Sequence, residues 1–239
     1  MDNLVKKRIA IIPARGGSKR IPKKNILDFF GKPMIAWTIE SALNTKMFDT
    51  VLVSTDDEEI AEISISYGAQ VPFLRNQNTD DFSTVSEATL TALDQLNGNN
   101  GKTYETVVQL MANCPLRSTK NIIDQLEVFH LSKEKINVLY GFQYGMFNPW
   151  WAHQKDQTKK YKRVFKDSST LKRSQDLPEL ICPSGATWIS SVENLKKNNS
   201  FYSEEYTFHK LTWQEAVDID DESDLLLAKA AYMISNEKV

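Results

Sequence analysis

Two glycines and five cationic side chains follow a short apolar run near the start of this chain, within the segment IAIIPARGGSKRIPKKN (residues 9–25). Glycine lets backbone N–H groups approach a ligand closely. Cations grouped at the carboxyl end of a strand suit a bound polyphosphate. We therefore predict a nucleotide-triphosphate site here. Its candidate residues are Arg15, Gly16, Gly17, Ser18, Lys19, Lys24 and Asn25.

This basic loop differs from two common nucleotide-binding motifs. The phosphate loop of P-loop enzymes needs GxxxxGK followed by Ser or Thr, whereas residues 16–19 read GGSK. The loop also lacks the GxGxxG pattern of dinucleotide-binding proteins. Local features alone leave a second interpretation open, namely a solvated basic surface loop.

A group of acidic residues near the other end of the chain adds a second kind of chemistry. In the segment VDIDDE (residues 217–222), Asp218 and Asp220 stand two positions apart, so in an extended backbone they project to the same side. Neighbouring carboxylates repel each other unless a cation or a proton relieves them. Mg²⁺ is a hard, oxygen-seeking cation that is often shared with substrate phosphates. We predict Asp218 and Asp220 as its ligands; the alternative is that Asp220 and Asp221 cap the terminal helix.

The composition fits a globular protein with one domain spanning residues 1–239. The 41% hydrophobic and 25% charged content is ordinary for this class. A net charge of −2 gives no indication of a nucleic-acid surface, so no such partner is expected. No apolar run is long enough for a membrane span, and the N-terminus lacks a secretory signal. The two cysteines, Cys114 and Cys182, match no zinc spacing, which favours free thiols in the cytoplasm.

Strand-like and helix-like segments alternate along the chain, which predicts an α/β fold with a mostly parallel sheet and helices on both faces. The predicted strands are Ile9–Pro13, Thr50–Ser54, Gln70–Leu74, Thr106–Met111, Ile136–Phe142 and Ala186–Ser190. The predicted helices are Met34–Asn44, Asp57–Tyr67, Val85–Leu96, Asn121–Leu131 and Ser223–Ile234. Asn97–Lys102 reads NGNNGK and is predicted as a flexible turn.

The segment Phe147–Ser174 interrupts this alternation, because it is aromatic and basic and has no clear period. A long loop without structure of its own is usually functional. We interpret residues 140–175 as an inserted extension that acts as a substrate lid or an oligomerisation arm.

Ligands of open α/β sheets bind beyond the carboxyl ends of the strands, so the polar residues there are candidates for binding. The segment Ser54–Asp57 follows the second predicted strand, and its simplest alternative role is to cap the next helix. Arg117 ends the segment that follows the fourth predicted strand. It is placed to reach a phosphate or a carboxylate, or else belongs to an ordinary helix-entry loop.

Five segments of the chain resemble the CMP-sialic acid synthetases, the acylneuraminate cytidylyltransferases. They read IAIIPARGGSKRIPKKN, GKPMIAWTIESA, FDTVLVSTDDEEIAE, YGAQVPFLR and AVDIDDESDL. The resemblance implies a Rossmann-like nucleotidyltransferase with three layers and a small dimerisation extension, and hence a homodimer. It also implies a reaction of CTP with a nine-carbon 2-keto sugar acid, with Mg²⁺ as cofactor, that yields the CMP-sugar and pyrophosphate.

The same resemblance implies roles for individual residues of this chain. Arg15 and Lys19 would hold the triphosphate, and Lys24 would stabilise charge on the α-phosphate and the leaving pyrophosphate. The remaining nucleotide contacts would come from Asn25, Arg75, Asp80 and Asp81. Asp218 and Asp220 match the metal-binding acidic pair of the family.

The chain departs from the family pattern at residues that face the acceptor sugar. It reads LMANCPLR where many sialic acid enzymes have LQPTSPLR, so Met111 replaces a substrate-facing Gln. Arg173 matches one arginine of the family, but a second one becomes Cys182. The segments NPWWA and RSQDLP resemble enzymes for bacterial legionaminic and pseudaminic acids, and an apolar Met111 suits such deoxy, N-acylated sugars. The residues predicted to bind the acceptor sugar are Met111, Asn113, Arg117, Arg173 and Cys182.

Three alternative functions remain open on the sequence. The first is a cytidylyltransferase for 3-deoxy-manno-octulosonate, and the second is a nucleotidyltransferase for a sugar 1-phosphate. The third is a nucleotide-binding protein without catalysis, against which the intact Lys24, Asp218 and Asp220 argue.

Overall fold

A computed structural model describes residues 7–78, 83–165 and 172–236 of the chain. The strands are β1 (Arg8–Pro13), β2 (Asp28–Phe29), β3 (Lys32–Pro33), β4 (Thr50–Ser54), β5 (Thr106–Leu110), β6 (Asn137–Gln143), β7 (His153–Lys155), β8 (Tyr161–Arg163), β9 (Ile181–Ser191) and β10 (Tyr206–Lys210). The helices are α1 (Met34–Asn44), α2 (Glu58–Ser66), α3 (Val85–Asn100), α4 (Thr119–Leu131), α5 (Val192–Asn198) and α6 (Glu222–Asn236).

β1 lies inside a six-stranded sheet with the strand order β10-β6-β9-β5-β1-β4. Its neighbours β4 and β5 run parallel to it, as does β10 to β6, whereas β9 is antiparallel to both β5 and β6. The prediction of a mostly parallel α/β sheet is therefore confirmed.

Apolar residues of β1 alternate between the two faces of the sheet, which explains why its sequence is a continuous apolar run. Ala10 and Ile12 join a core with residues of α1, α2 and α4. Ile9 and Ile11 join a second core with residues of α3 and α5. Helices thus cover both faces, giving three layers.

Polar side chains fix where several helices begin, at the carboxyl edge of the sheet. Ser118 and Asn121 form a capping box at the start of α4, and Thr84 and Glu87 form one at α3. Asp57 caps α2 by accepting a hydrogen bond from the backbone N–H of Ile60 at 3.0 Å, as the helix-capping alternative supposes. None of the helices in the described ranges is long and apolar enough to span a membrane.

Two local predictions are wrong. Gln70–Leu74 is not a strand, because only Gln70 makes a bridge, to Leu52, before the chain turns away. Asn97–Lys102 is not a flexible turn, because α3 continues to Asn100 and ends at Gly101, which has a φ of 67°. The single Gly98 inside this helix is tolerated at a modest cost in stability.

The second half of the chain contains elements that the sequence patterns did not reveal. α5 and β10 follow β9, and β9 runs well beyond the predicted Ala186–Ser190. Within Phe147–Ser174, β7 and β8 form a small antiparallel hairpin whose residues are all exposed. The β7–β8 hairpin and the edge strand β10 are largely polar. They therefore lack the apolar alternation by which strands are recognised in a sequence.

Candidate functional site

The basic loop, the turn after β5 and the acidic segment before α6 surround a cleft of about 340 Å³ at the carboxyl edge of the sheet. Its walls are formed by Pro13, Arg15, Ser18, Lys19, Arg20, Ile21, Lys24, Asn25, Met111, Asn113 and Asp220. Eight of these were predicted as site residues from the sequence: Arg15, Ser18, Lys19, Lys24, Asn25, Met111, Asn113 and Asp220. The fold thus brings the basic loop and the acidic segment together at the place where open α/β sheets bind ligands.

The beginning of α2 holds the first part of the basic loop. Asp56 Oδ1 accepts a hydrogen bond from the backbone N–H of Gly16 at 2.9 Å. A Cβ added at Gly16 would lie 2.6 Å from Asp57 Oδ2 and 2.9 Å from Asp57 Cβ. The sequence explains this glycine by the approach of a ligand, whereas the structure shows that the approach of Asp57 also requires it.

Gly16→Ala is expected to weaken the binding of the predicted nucleotide triphosphate about tenfold or more, because the added methyl group would displace the loop that carries Arg15 and Lys19. Gly17→Ala is the matched comparison, since its Cβ would meet nothing within 4 Å. Titration calorimetry of both variants with a nucleotide triphosphate would test this. A loss at Gly17 as large as that at Gly16 would contradict the role of Asp57.

The second part of the basic loop is held by Asn25 and Lys24. Buried Asn25 donates a hydrogen bond from Nδ2 to the carbonyl oxygen of Arg15 at 3.0 Å, so it ties the two ends of the loop together. Lys24 begins a short 3₁₀ turn, and its side chain is only 15% exposed. Its Nζ lies 2.9 Å from Asp220 Oδ1, across the cleft. Lys24 is therefore a positioned charge and not a solvated surface lysine.

Asn113 brings the acidic pair together, as predicted for two carboxylates on the same side of an extended segment. Its Nδ2 donates to Asp218 Oδ1, to the carbonyl oxygen of Ile219 at 2.9 Å and to Asp220 Oδ1 at 3.4 Å. The sequence predicted that Asn113 contacts the acceptor sugar. The structure shows that it also contacts both carboxylates. Contact of Asn113 with the acceptor sugar stays a prediction.

The two carboxylates have different pKa values because their surroundings differ. Burial, reinforced by the nearby negative charge of Asp220, raises the pKa of Asp218 to about 6. The pKa of Asp220 is lowered despite partial burial, because Lys24 and Arg20 donate hydrogen bonds to it and bring positive charge. A cation at this pair would relieve the repulsion that Asp218 experiences.

The donor set at this position suits Mg²⁺. Asp218 and Asp220 offer hard carboxylate oxygens, and Mg²⁺ usually takes one or two carboxylates and completes its octahedron with water and substrate phosphates. No group of three or more Asp, Glu, His or Cys side chains converges as a closed metal cage within the described part of the chain. An open site shared with a substrate is consistent with this arrangement.

Asp221 has the helix-capping role that was considered for it. Its Oδ1 accepts hydrogen bonds from the backbone N–H groups of Ser223 at 2.9 Å and Asp224 at 3.1 Å. Asp220 instead faces the cleft, so the capping alternative is confirmed for Asp221 only.

Two predicted arginines are buried and do not line the cleft. Arg75 donates from Nη1 to the carbonyl oxygen of Ser54 at 3.1 Å, close to Asp56 and Arg15. Arg117 is 1% exposed and donates from Nη1 to the carbonyl oxygen of Ala186 at 2.6 Å. Burial lowers the pKa of Arg117 to about 10, so it stays charged at pH 7. Contact of either arginine with a ligand stays a prediction.

The structure does not bring two other predicted residues to the cleft walls. Arg173 is exposed, and its Nε lies 2.8 Å from Asp176 Oδ2. Cys182 lies on β9 opposite Phe142. Asp80 and Asp81 lie outside the described residues. The predicted roles of these residues in binding are therefore not tested.

Arg20 is a cleft residue that the sequence reasoning did not single out. Its Nη2 lies 2.8 Å from Asp220 Oδ2. In the sequence, Arg20 is one of five cations of the loop, and nothing there indicates that it would contact the acidic pair. Only the folded position of Asp220 distinguishes it from its neighbour Lys23, which instead pairs with Glu59.

Comparisons with known proteins agree on one family. The family model described as Cytidylyltransferase matches residues 9–233. A pseudaminic acid cytidylyltransferase of Campylobacter jejuni subsp. jejuni is 36% identical over 97% of this chain and 98% of its own length. A CMP-N,N'-diacetyllegionaminic acid synthase of Legionella pneumophila is 28% identical over 96% of this chain and 97% of its own length.

A solved structure shares the fold at lower sequence identity. The CMP:2-keto-3-deoxy-manno-octonic acid synthetase, in complex with CTP, superposes with a TM-score of 0.70 at 16% identity. The match covers 96% of this chain and 99% of that one. At this identity the similarity supports the three-layer α/β fold alone.

Proposed function

The chain belongs to the cytidylyltransferase family, and we propose on that basis that it couples CTP to a nine-carbon 2-keto sugar acid. The anomeric hydroxyl at C2 of the sugar attacks the α-phosphorus of CTP and releases its proton, a new P–O bond forms, and the bond between the α-phosphorus and pyrophosphate breaks. The products are the CMP-sugar and pyrophosphate.

The contact between Lys24 and Asp220 is the observation that carries this proposal. The two residues are 196 positions apart in the chain, yet Nζ and Oδ1 are 2.9 Å apart. The basic loop and the acidic pair therefore form one site. A solvated surface loop would not place a largely buried lysine against a carboxylate in a cleft.

The side chains divide the work of binding and charge stabilisation. Arg15 and Lys19 hold the β- and γ-phosphates, which fixes the direction in which pyrophosphate leaves. Lys24, which lines the cleft, stabilises the negative charge that grows on the α-phosphate and the leaving oxygen. Asn25 keeps the loop closed through Arg15. Catalysis then rests mainly on position and electrostatics, as in phosphoryl transfer generally.

Asp218 and Asp220 would hold Mg²⁺, in keeping with their hard oxygen donors. When bound, Mg²⁺ neutralises phosphate charge and lowers the pKa of a coordinated hydroxyl. Asn113 keeps the two carboxylates side by side for this role.

We propose a diamino-deoxy nonulosonic acid, of the pseudaminic or legionaminic type, as the acceptor. Apolar Met111 lines the cleft, where a hydroxyl-rich sugar would be better served by a polar side chain. Gly185 on β9 approaches this side chain closely, since a Cβ there would lie 3.0 Å from Met111 Cγ. The names of the Campylobacter and Legionella relatives support the same class.

A pyrophosphate-release assay with CTP and a panel of acceptors would test the function. We expect the highest kcat/KM with di-N-acetylated pseudaminate or legionaminate, lower values with N-acetylneuraminate and octulosonate, and no release with sugar 1-phosphates. Comparable turnover of N-acetylneuraminate would contradict the argument from Met111. Turnover of a sugar 1-phosphate alone, or of nothing, would contradict the function itself.

We further propose a cytoplasmic homodimer, joined through the extension of residues 140–175 with or without a lid function. Met146 and Phe147 in this extension are 84% and 79% exposed, and apolar side chains so exposed suit an interface. The exposed hairpin of β7 and β8 belongs to the same extension.

A further inference from the structure

Both carboxylate oxygens of Asp220 are engaged by cationic side chains of the basic loop. Lys24 Nζ lies 2.9 Å from Oδ1, and Arg20 Nη2 lies 2.8 Å from Oδ2. Any divalent cation that binds the pair must therefore compete with these two side chains.

The two competing cations differ in how easily they can leave. The Lys24 side chain is 15% exposed, so it is confined by its surroundings. The Arg20 side chain is 61% exposed and its partner is 45% exposed. An ion pair with this exposure is worth little and is broken at low cost. Arg20 is therefore the side chain that gives way.

Arg20 also lines the cleft, so the released guanidinium group remains beside the triphosphate site. A planar guanidinium group binds phosphate oxygens through two parallel hydrogen bonds. On the basis of the function proposed above, we propose that Arg20 exchanges one charged partner for another when CTP binds. It occupies Asp220 until the metal arrives with CTP, and then moves to the phosphates.

This exchange predicts opposite effects of one substitution on two ligands. Arg20→Gln removes the competitor for Asp220, so it is expected to tighten the binding of Mn²⁺ alone about two- to fivefold. The same variant loses a charged hydrogen bond to phosphate, so it is expected to bind CTP with Mg²⁺ about tenfold more weakly or worse.

Electron paramagnetic resonance of Mn²⁺ and calorimetry of CTP with Mg²⁺, both without an acceptor sugar, would measure these affinities. Lys23→Gln is the matched control, because Lys23 is a cation of the same loop but pairs with Glu59. It is expected to leave both affinities within about twofold of the wild type. Arg20→Lys keeps the charge, so it should retain the Mn²⁺ affinity of the wild type and only part of the CTP affinity.

Unchanged or weaker Mn²⁺ binding in Arg20→Gln would overturn the competition, as would the absence of Mn²⁺ binding in both the wild type and this variant. Unchanged CTP binding in this variant would overturn the transfer to phosphate. These measurements require no turnover. Their failure is therefore distinguishable from failure of the proposed function, which shows as absent pyrophosphate release with every acceptor.

Discussion

Lys24→Gln is expected to lower kcat by about 10²- to 10³-fold, which is the usual cost of removing one positioned donor from developing negative charge. The fold holds Lys24 in place, with Nζ 2.9 Å from Asp220 Oδ1 and the side chain largely buried. Gln keeps much of the length and some hydrogen bonding but removes the charge.

The effect should appear mainly in kcat, because the charge that Lys24 stabilises grows in the transition state. Lys23→Gln provides the comparison, since it removes the same charge from the adjacent position. Steady-state kinetics with varied CTP would separate kcat from KM. A loss confined to the KM for CTP would show that Lys24 binds the ground state only, and a normal kcat would exclude its proposed role.

Asp218→Asn has the second large expected effect, which acts on activity and stability in opposite directions. Loss of a carboxylate ligand should lower turnover by about 10²-fold or more, because metal ions contribute several kcal/mol of transition-state stabilisation. The same change should raise the free energy of unfolding in metal-free buffer. The substituted amide still presents an oxygen to Asn113, so the local hydrogen bond is retained.

The expected gain in stability follows from the raised pKa of Asp218. Its pKa is about 6 in the folded chain, against an ordinary value of 3.8, so ionisation opposes folding by at most about 3 kcal/mol. The folded state binds the proton more tightly, so stability falls as pH rises from about 4 to 6. The wild type therefore bears the full cost above pH 6 and almost none below pH 4.

Urea unfolding of wild type and Asp218→Asn in the presence of EDTA, at pH 4 and pH 7.5, would test this. The variant should be more stable at pH 7.5 and nearly equal to the wild type at pH 4. If the variant is less stable than the wild type at pH 7.5, ionised Asp218 does not lower the free energy of unfolding. Unimpaired turnover in Asp218→Asn would show that Asp218 is not a metal ligand.

Much of the fold followed from local patterns. The predicted α1 and β4 match the structure at both ends, because amphipathic spacing and a buried apolar run are visible within a few residues. The missed β10 and the hairpin of β7 and β8 are polar, so their strand character depends on pairing partners that are distant in sequence or joined by a turn.

The sequence by itself determined the α/β class, and it predicted the basic loop as a phosphate site and the acidic pair as its counterpart. These inferences depend on residue types and short spacings, which folding does not change. Only the tertiary structure decided which cations meet Asp220, why Gly16 must be glycine and that Arg173 does not line the cleft. Such contacts depend on strand order, register and side-chain direction. A one-dimensional pattern carries no information on these, so Arg20 and Lys23 look alike until the chain is folded.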